Sequence, residues 1–303
     1  MKWFAGSVGV FRHALLLRRG IPIVKWDMPG APKERPPQKS YEKILEQEIT
    51  EGLQELNRPV PGLLISGIAA GLEISFSIFL MGVLLTLVKQ PSTSPITAIL
   101  IANAYSVGFI FVILGRSELF TEHTTRANYP VLAGRAGIGA LARLWAIVLA
   151  GNLVGTAIFS EFTVIIGPAL DVIDVHSLGA LGSKTVAHPW WVILLSGIMA
   201  GWMMGLLSWL VTAGRDTISQ VVFVWVITAA IGICHFHHSI LGSGEVLANI
   251  FGGQGLTVRD YGFFLLWSVV GNAAGGVVFV ALLKYSHVVH RGETPEPAKA
   301  SEL

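Results

Sequence analysis

The stretch Ile231 to Phe251, IGICHFHHSILGSGEVLANIF, constrains the fold more than any other part of the chain. It begins and ends as apolar helix, yet its middle carries His235, His237, His238, Gly242, Gly244 and Glu245. Backbone unwound by glycine at membrane depth leaves N–H and C=O groups unpaired, so it survives only against other protein or a wet cavity. Ionisable groups inside a bilayer likewise mark a pathway rather than a lipid contact. The stretch reads as a broken transmembrane helix that lines a permeation route.

Composition supports a membrane setting. Of 303 residues, 52% are hydrophobic and 13% charged, against about 25% charged in an average soluble domain, and the mean hydropathy is +0.64. The net charge of +2 separates neither anionic from cationic substrates nor carries the basic footprint of a nucleic-acid binder. The single Cys234 cannot form an internal disulfide. No nucleophile, cofactor fingerprint or full metal motif is present, so the chain does not read as an enzyme.

Residues 1–61 form a polar region whose apolar runs are cut short by Arg12 and His13 and by Arg18 and Arg19. No cleaved signal peptide is expected, because such a signal needs a longer apolar run and a small-residue cleavage site. APKERPP, from Ala31 to Pro37, reads as an extended linker. Beyond it, YEKILEQEITEGLQEL places Ile44, Leu45, Ile49, Leu53 and Leu56 on one helical face. That spacing predicts an amphipathic helix resting on the bilayer or on a neighbouring subunit.

Six apolar segments follow, at a requirement of about 20 residues per span. They run from Leu63 to Val88, Ile96 to Leu114 with a continuation past Phe120, Ala140 to Ile166, Trp190 to Thr212, Val221 to Phe251, and Tyr261 to Tyr285. Residues 62–288 thus read as one six-span unit, with a tail over 289–303. Six spans put the N-terminal region, Arg126, Arg135, Arg143, Arg215, Lys284, Arg291 and Lys299 on one side of the membrane. Lys89, Lys184 and Arg259 fall on the other, with Asp171, Asp174 and Asp260 beside them. The excess of Lys and Arg makes both termini cytoplasmic.

GNLVG at Gly151 to Gly155 recurs as GNAAG at Gly271 to Gly275, in the third and sixth segments. Close helix packing alone accounts for such glycines. Two homologous halves of three spans each would instead lie upside down relative to one another, each with one discontinuous helix at the central site. The second segment supplies the counterpart to the broken fifth. In GRSELFTEHTT, Arg116, Ser117, Glu118, Thr121 and Glu122 interrupt apolar sequence. They cannot all face lipid, since Arg or Glu at a helix centre costs at least ~2.5 kcal/mol on insertion scales.

From about residue 41 to 288 the chain resembles the formate/nitrite transporters. The motif of an acidic residue followed by LFT appears at Glu118 to Thr121, GNLVG at Gly151 to Gly155, GN at Gly271 and Asn272, and GR at Gly214 and Arg215. A gap-free count from that pair puts the family's central histidine on His238 within FHHS. HSILGSGEVL is similar to the YfdC-like branch of the family. The resemblance implies an all-α, aquaporin-like protomer with helices 2 and 5 broken, in a homopentamer in a bacterial-type inner membrane, each protomer conducting small monovalent anions without a cofactor or metal. It implies one apolar slit at Tyr105, Met204 and Ile231 and another at Phe109, Leu119 and Phe120. Between them lies His238 as proton relay, hydrogen-bonded by Thr121. Lys184 falls one residue from the family's vestibule lysine. Gly242 and Gly201 stand where the family has asparagines, His237 where a glutamate is frequent, and Glu73 where an apolar residue is usual.

The residues also carry a chemical argument. A bare anion entering an apolar slit loses hydration at a cost of several kcal/mol, and its conjugate acid does not. Histidine, with an ordinary pKa of about 6.5, can donate a proton or a hydrogen bond to the arriving anion. Glu245 follows His238 by seven residues, which places it on the same face of a resumed helix. Glu118 can cap the break or pair with Arg116. Other readings of the same residues are a cation or metal transporter built on Glu73, Glu118, Glu245 and the histidines, and a neutral-solute channel, which the lack of an NPA tripeptide opposes. A fourth is a non-transporting membrane scaffold, for which the charged N-terminal region is the one hint.

Overall fold

A computed structural model of the chain describes residues 38–88 and 94–290. The linker at 31–37, Lys89, Arg291 and Lys299 fall outside the described residues. Every regular element among the described residues is a helix.

Helix α1 is Tyr41–Asn57, started by Ser40, whose hydroxyl accepts the Lys43 N–H at 3.3 Å. Ile44, Leu45, Ile49 and Leu56 are buried and Leu53 partly so, each fully buried side chain worth about 1.5–3 kcal/mol. The stripe packs against Tyr129, Trp209, Ala281 and Val288 of its own chain, where spacing alone had offered the bilayer or a neighbouring subunit. Glu48 lies inside the same stripe and is fully buried. It accepts the hydroxyls of Ser208 at 3.1 Å and Thr212 at 2.7 Å and faces Arg126 Nε at 3.3 Å.

The first apolar segment is α2, Val60–Ile74, and α3, Phe76–Leu87. They meet at Ser75, whose hydroxyl donates back to the Gly71 carbonyl at 2.7 Å, a bond that bends helices. Next come α4, Pro95–Gly115, then α5, Phe120–Arg126, α6, Asn128–Leu132, and the long α7, Ile138–Ala169. Helix α8, Val175–Val186, starts at Asp174, which accepts the His176 N–H at 2.9 Å. It is followed by α9, Trp190–Ala213, α10, Thr217–Ile233, and α11, Ser239–Phe251. Helix α12, Val258–Gly276, opens with a Thr257/Asp260 capping box and passes through a π-helical turn, Val277–Leu282, into α13, Leu283–Val289.

Among the described residues, five stretches are long and apolar enough to cross a membrane: Val60–Leu87, Pro95–Gly115, Ile138–Ala169, Trp190–Ala213 and Val258–His290. The fifth segment of the sequence is instead the two shorter apolar helices α10 and α11. Residues 234–238 between them are not helical, and His235 takes a left-handed φ of 52°. Gly242 and Gly244, which had suggested the unwinding, sit inside α11. They are glycine for packing: a Cβ on Gly242 would lie 2.5 Å from the Phe264 ring.

Two helix pairs form the centre. Helices α2 and α7 meet through Gly67, Gly71, Gly151 and Gly155, and α9 and α12 through Gly197, Gly201, Gly271 and Gly275. A Cβ on Gly67 or on Gly197 would lie 3.3 Å from the Cα of Gly151 or Gly271 respectively. Absence of side chains here brings backbones together, as small residues do between membrane helices.

Candidate functional site

Two helix ends bring the site residues together. Helix α4 stops at Arg116, whose φ of 58° is left-handed, and α5 begins after Leu119. Helix α10 stops before His235, and α11 begins after His238. Irregular backbone at such depth needs hydrogen-bond partners, and two asparagines supply them. Asn152 accepts the Phe120 N–H at 2.9 Å and donates to the carbonyls of Gly67 at 2.9 Å and Glu118 at 2.8 Å. Asn272 accepts the Ser239 N–H at 2.8 Å and donates to the carbonyls of Gly197 and His237, both at 2.9 Å. The GN repeat is therefore more than a packing device. Its glycines close the helix pairs, and its amides hold the two irregular segments.

By that correspondence Leu119 and His238 are counterparts, each the residue before a helix. His238 is 2% exposed. Its Nδ1 accepts the Leu241 N–H at 3.3 Å, which caps α11, and its Nε2 lies 2.9 Å from Thr121 Oγ1. A nitrogen that accepts an N–H carries no proton, so the hydrogen bonds assign the neutral Nε2–H tautomer, donating to Thr121. The Phe109 ring meets the imidazole edge-on at 5.0 Å and stacks on Tyr105 at 5.3 Å.

On one side of His238 opens a cavity of about 100 Å³, which Tyr105, Ile231, Lys184, His237, His238 and Glu245 help to line. Met204, grouped with Tyr105 and Ile231 by resemblance, is buried on α9 but does not line it. Phe109, Leu119 and Phe120 are all buried. Lys184 Nζ donates to His235 Nε2 at 2.8 Å, and the Thr185 hydroxyl donates to Glu245. His237 Nε2 donates to the Thr185 carbonyl at 3.1 Å, while its Nδ1 meets Ser196. The motif count had placed His238 alone in the pore. His235 and His237 also line this cavity.

A second cavity, of about 420 Å³, is bounded by Arg58, Arg116, Arg126, Glu55, Glu118 and Glu122 among others. Burial pushes the Glu55 carboxyl up, and the neighbouring Glu118 charge adds to it. Glu118 pairs with Arg58 at 2.7 Å and with His123, whereas the sequence had suggested Arg116. Glu73 lines neither cavity. Its carboxylate lies against Gly115, with one buried oxygen that has no hydrogen-bond partner.

Gly201 and Gly242 are glycine for reasons other than a missing pore amide. A Cβ on Gly201 would run into the Asn272 carbonyl, and one on Gly242 into Phe264. The residues that sequence reasoning missed are the supporting ones. Asn152 and Asn272 were visible within the repeated GN, while Thr185 and Ser196 have no local signature.

A family model described as Formate/nitrite transporter matches residues 42–286. The chain belongs to the formate/nitrite transporter family. This formate/nitrite transporter family member is 28% identical over 255 residues to the inner membrane protein YfdC of Escherichia coli strain K12, covering 83% of this chain and 80% of that protein. It is 30% identical over 251 residues to the nitrite transporter NirC of Salmonella typhimurium, covering 81% and 90%. Its fold matches an FNT family ion channel at a TM-score of 0.71 and 23% identity, covering 80% of this chain and 98% of that one. It also matches a pentameric formate channel with formate bound, at a TM-score of 0.60, 21% identity and coverages of 76% and 98%. These relatives are named as membrane proteins, transporters and channels, not enzymes. The formate/nitrite transporter family member is an integral membrane protein built from apolar helices.

Proposed function

We propose that the chain forms a channel for a small monovalent anion such as formate or nitrite, with His238 at the centre of the path. The observation that carries this reading is the Thr121–His238 pair, buried beside Phe109 where the two irregular segments meet. An anion that displaces Thr121 finds an N–H donor on a neutral ring in apolar surroundings, where a hydrogen bond to a charged partner is strong. Such a donor lowers the cost of holding the anion and assists its protonation. Tyr105, Met204 and Ile231 form the outer constriction in this reading, and Phe109, Leu119 and Phe120 the inner one. Lys184 serves as an attractor at the mouth.

In the same reading, residues 62–288 are the channel domain, and α4–α5 and α10–α11 are the broken second and fifth spans of two inverted three-helix halves. The matching bonds of Asn152 and Asn272 support that layout. The protomer assembles as a homopentamer in an inner membrane with both termini cytoplasmic, supported by the fold match to a pentameric channel and by the Lys and Arg distribution. The 1–61 region and the 289–303 tail then lie on that side. A cation pathway is not favoured, because Glu118 is held by Arg58 and His123 and Glu73 lines neither cavity.

Purified protein in liposomes, screened against anions, cations and neutral solutes at two pH values, tests the reading. Small monovalent anions pass, and faster when the side holding the anion is acid. Selective flux of zinc or ammonium without anion flux overturns it.

A further inference from the structure

The anion pathway leaves open which group gives up a proton. His238 assists through its N–H hydrogen bond but is poorly arranged to release a proton itself. Its Nδ1 is occupied by the Leu241 N–H, so protonation there breaks the cap of α11, and loss of the Nε2 proton from a neutral ring would leave an imidazolate. His237 is engaged at both nitrogens, by Ser196 and the Thr185 carbonyl. His235 Nε2 is taken by Lys184.

Glu245 is differently placed. It lines the same cavity as His238, and its hydrogen-bond donor is the neutral Thr185 hydroxyl. Among the described residues no Lys or Arg lies within ion-pair distance of it. Lys184, on the wall of the same cavity, is turned to His235. Facing Glu245 are Lys184 from α8, His188 just after it, His235, His237 and His238 from the 234–238 segment, and Tyr105 from α4. Helices α3, α7 and α12 bring no charged side chain to the cavity. The Tyr105 hydroxyl is buried without a partner, on a residue that also lines the cavity. An ionised carboxylate at this point repels an entering anion, and a protonated one can give it a hydrogen.

Resting on the anion-channel reading, we propose that Glu245 is the proton-exchanging group of the outer cavity, loading weak-acid anions before they reach His238. The O–H bond of the Glu245 carboxyl breaks as an O–H bond forms on the anion. The neutral acid moves inward, and the carboxylate left behind takes a proton from the outer solution.

The test is flux of formate into proteoliposomes, read by stopped-flow light scattering together with an internal pH dye. For the wild type, the ratio of flux at about pH 5.5 to that at about pH 7.5 is well above one. In Glu245→Gln the ratio falls toward one, and Glu245→Asp restores it. Wild-type steepness in Glu245→Gln overturns the inference. Where Glu245→Gln does not assemble, Thr185→Val decides: removing the donor to the carboxylate moves the flux midpoint to higher pH, and an unmoved midpoint overturns the inference. Absence of formate and nitrite flux in the wild type overturns the anion-channel reading itself, an outcome separate from either.

Discussion

Thr121 Oγ1 and His238 Nε2, 117 residues apart in the chain, share a buried hydrogen bond of 2.9 Å. Thr121 lies in the first turn of α5 and His238 caps α11, so the contact reports on how both helix starts are held. Thr121→Val removes a neutral acceptor worth about 1 kcal/mol, and flux slows by roughly fivefold. His238→Ala loses the central donor and the α11 cap together. Its flux falls further, and its melting temperature drops by an amount corresponding to about 1 kcal/mol. Normal pH-dependent flux in His238→Ala, with loss in His237→Ala, would move the register by one residue and refute both assignments.

Asn152→Ala and Asn272→Ala each leave one N–H and one carbonyl of an irregular segment unpaired in a buried place, Phe120 and Glu118 in one case and Ser239 and His237 in the other. At about 1–3 kcal/mol for each unsatisfied group, both variants lose the monodisperse peak in size-exclusion chromatography. An Asp at either position keeps the acceptor and loses the donors, so its damage is intermediate. Unequal outcomes for the two alanine variants, one inert and one severe, would argue against their equivalence.

Gly201→Asn gives back the amide that family resemblance suggests for this position. The side chain must start where the Asn272 carbonyl already stands. Overpacking of about 1–3 kcal/mol follows, seen as a lower melting temperature in detergent without a gain in flux. A stable variant with altered selectivity would show that α9 and α12 part readily and that position 201 reaches the path.

Glu48→Ala strands the hydroxyls of Ser208 and Thr212 and removes one of the carboxylates around Arg126. Hydrogen bonds to a charged group are worth about 1.5–3 kcal/mol, so the variant melts lower and α1 becomes accessible to protease. Unchanged proteolysis of α1 would mean that its apolar stripe suffices to hold it.

Much of this was legible from the chain. Apolar runs located the spans, and polar residues inside two of them located the helix ends near Arg116 and His235. What stayed hidden depended on distance. Glu118 finds Arg58, 60 residues back, while its sequence neighbour Arg116 is left aside. Glu48 reads as a polar interruption of an amphipathic stripe until Ser208 and Thr212 are placed opposite it. Helix α8 is hard to read from sequence because VHSLGALGSKTV has small and polar residues in place of an apolar period, although Asp174 before it is a start signal. The break in the fifth segment falls at 234–238 rather than at Gly242 and Gly244, whose role is to admit Phe264 and Ile78 against α11.

The burial of Glu48 also orders events during synthesis. Its hydroxyl partners Ser208 and Thr212 lie 160 and 164 residues downstream, on a helix that enters the bilayer after three other apolar segments. Until then, of Arg126, Ser208 and Thr212, only Arg126 has been made, and the carboxylate lacks both hydroxyl donors. Docking of α1 therefore comes late in biogenesis, as a latch set after α9 is in place, and a ribosome stalled before residue 208 holds a chain with the apolar stripe of α1 still exposed.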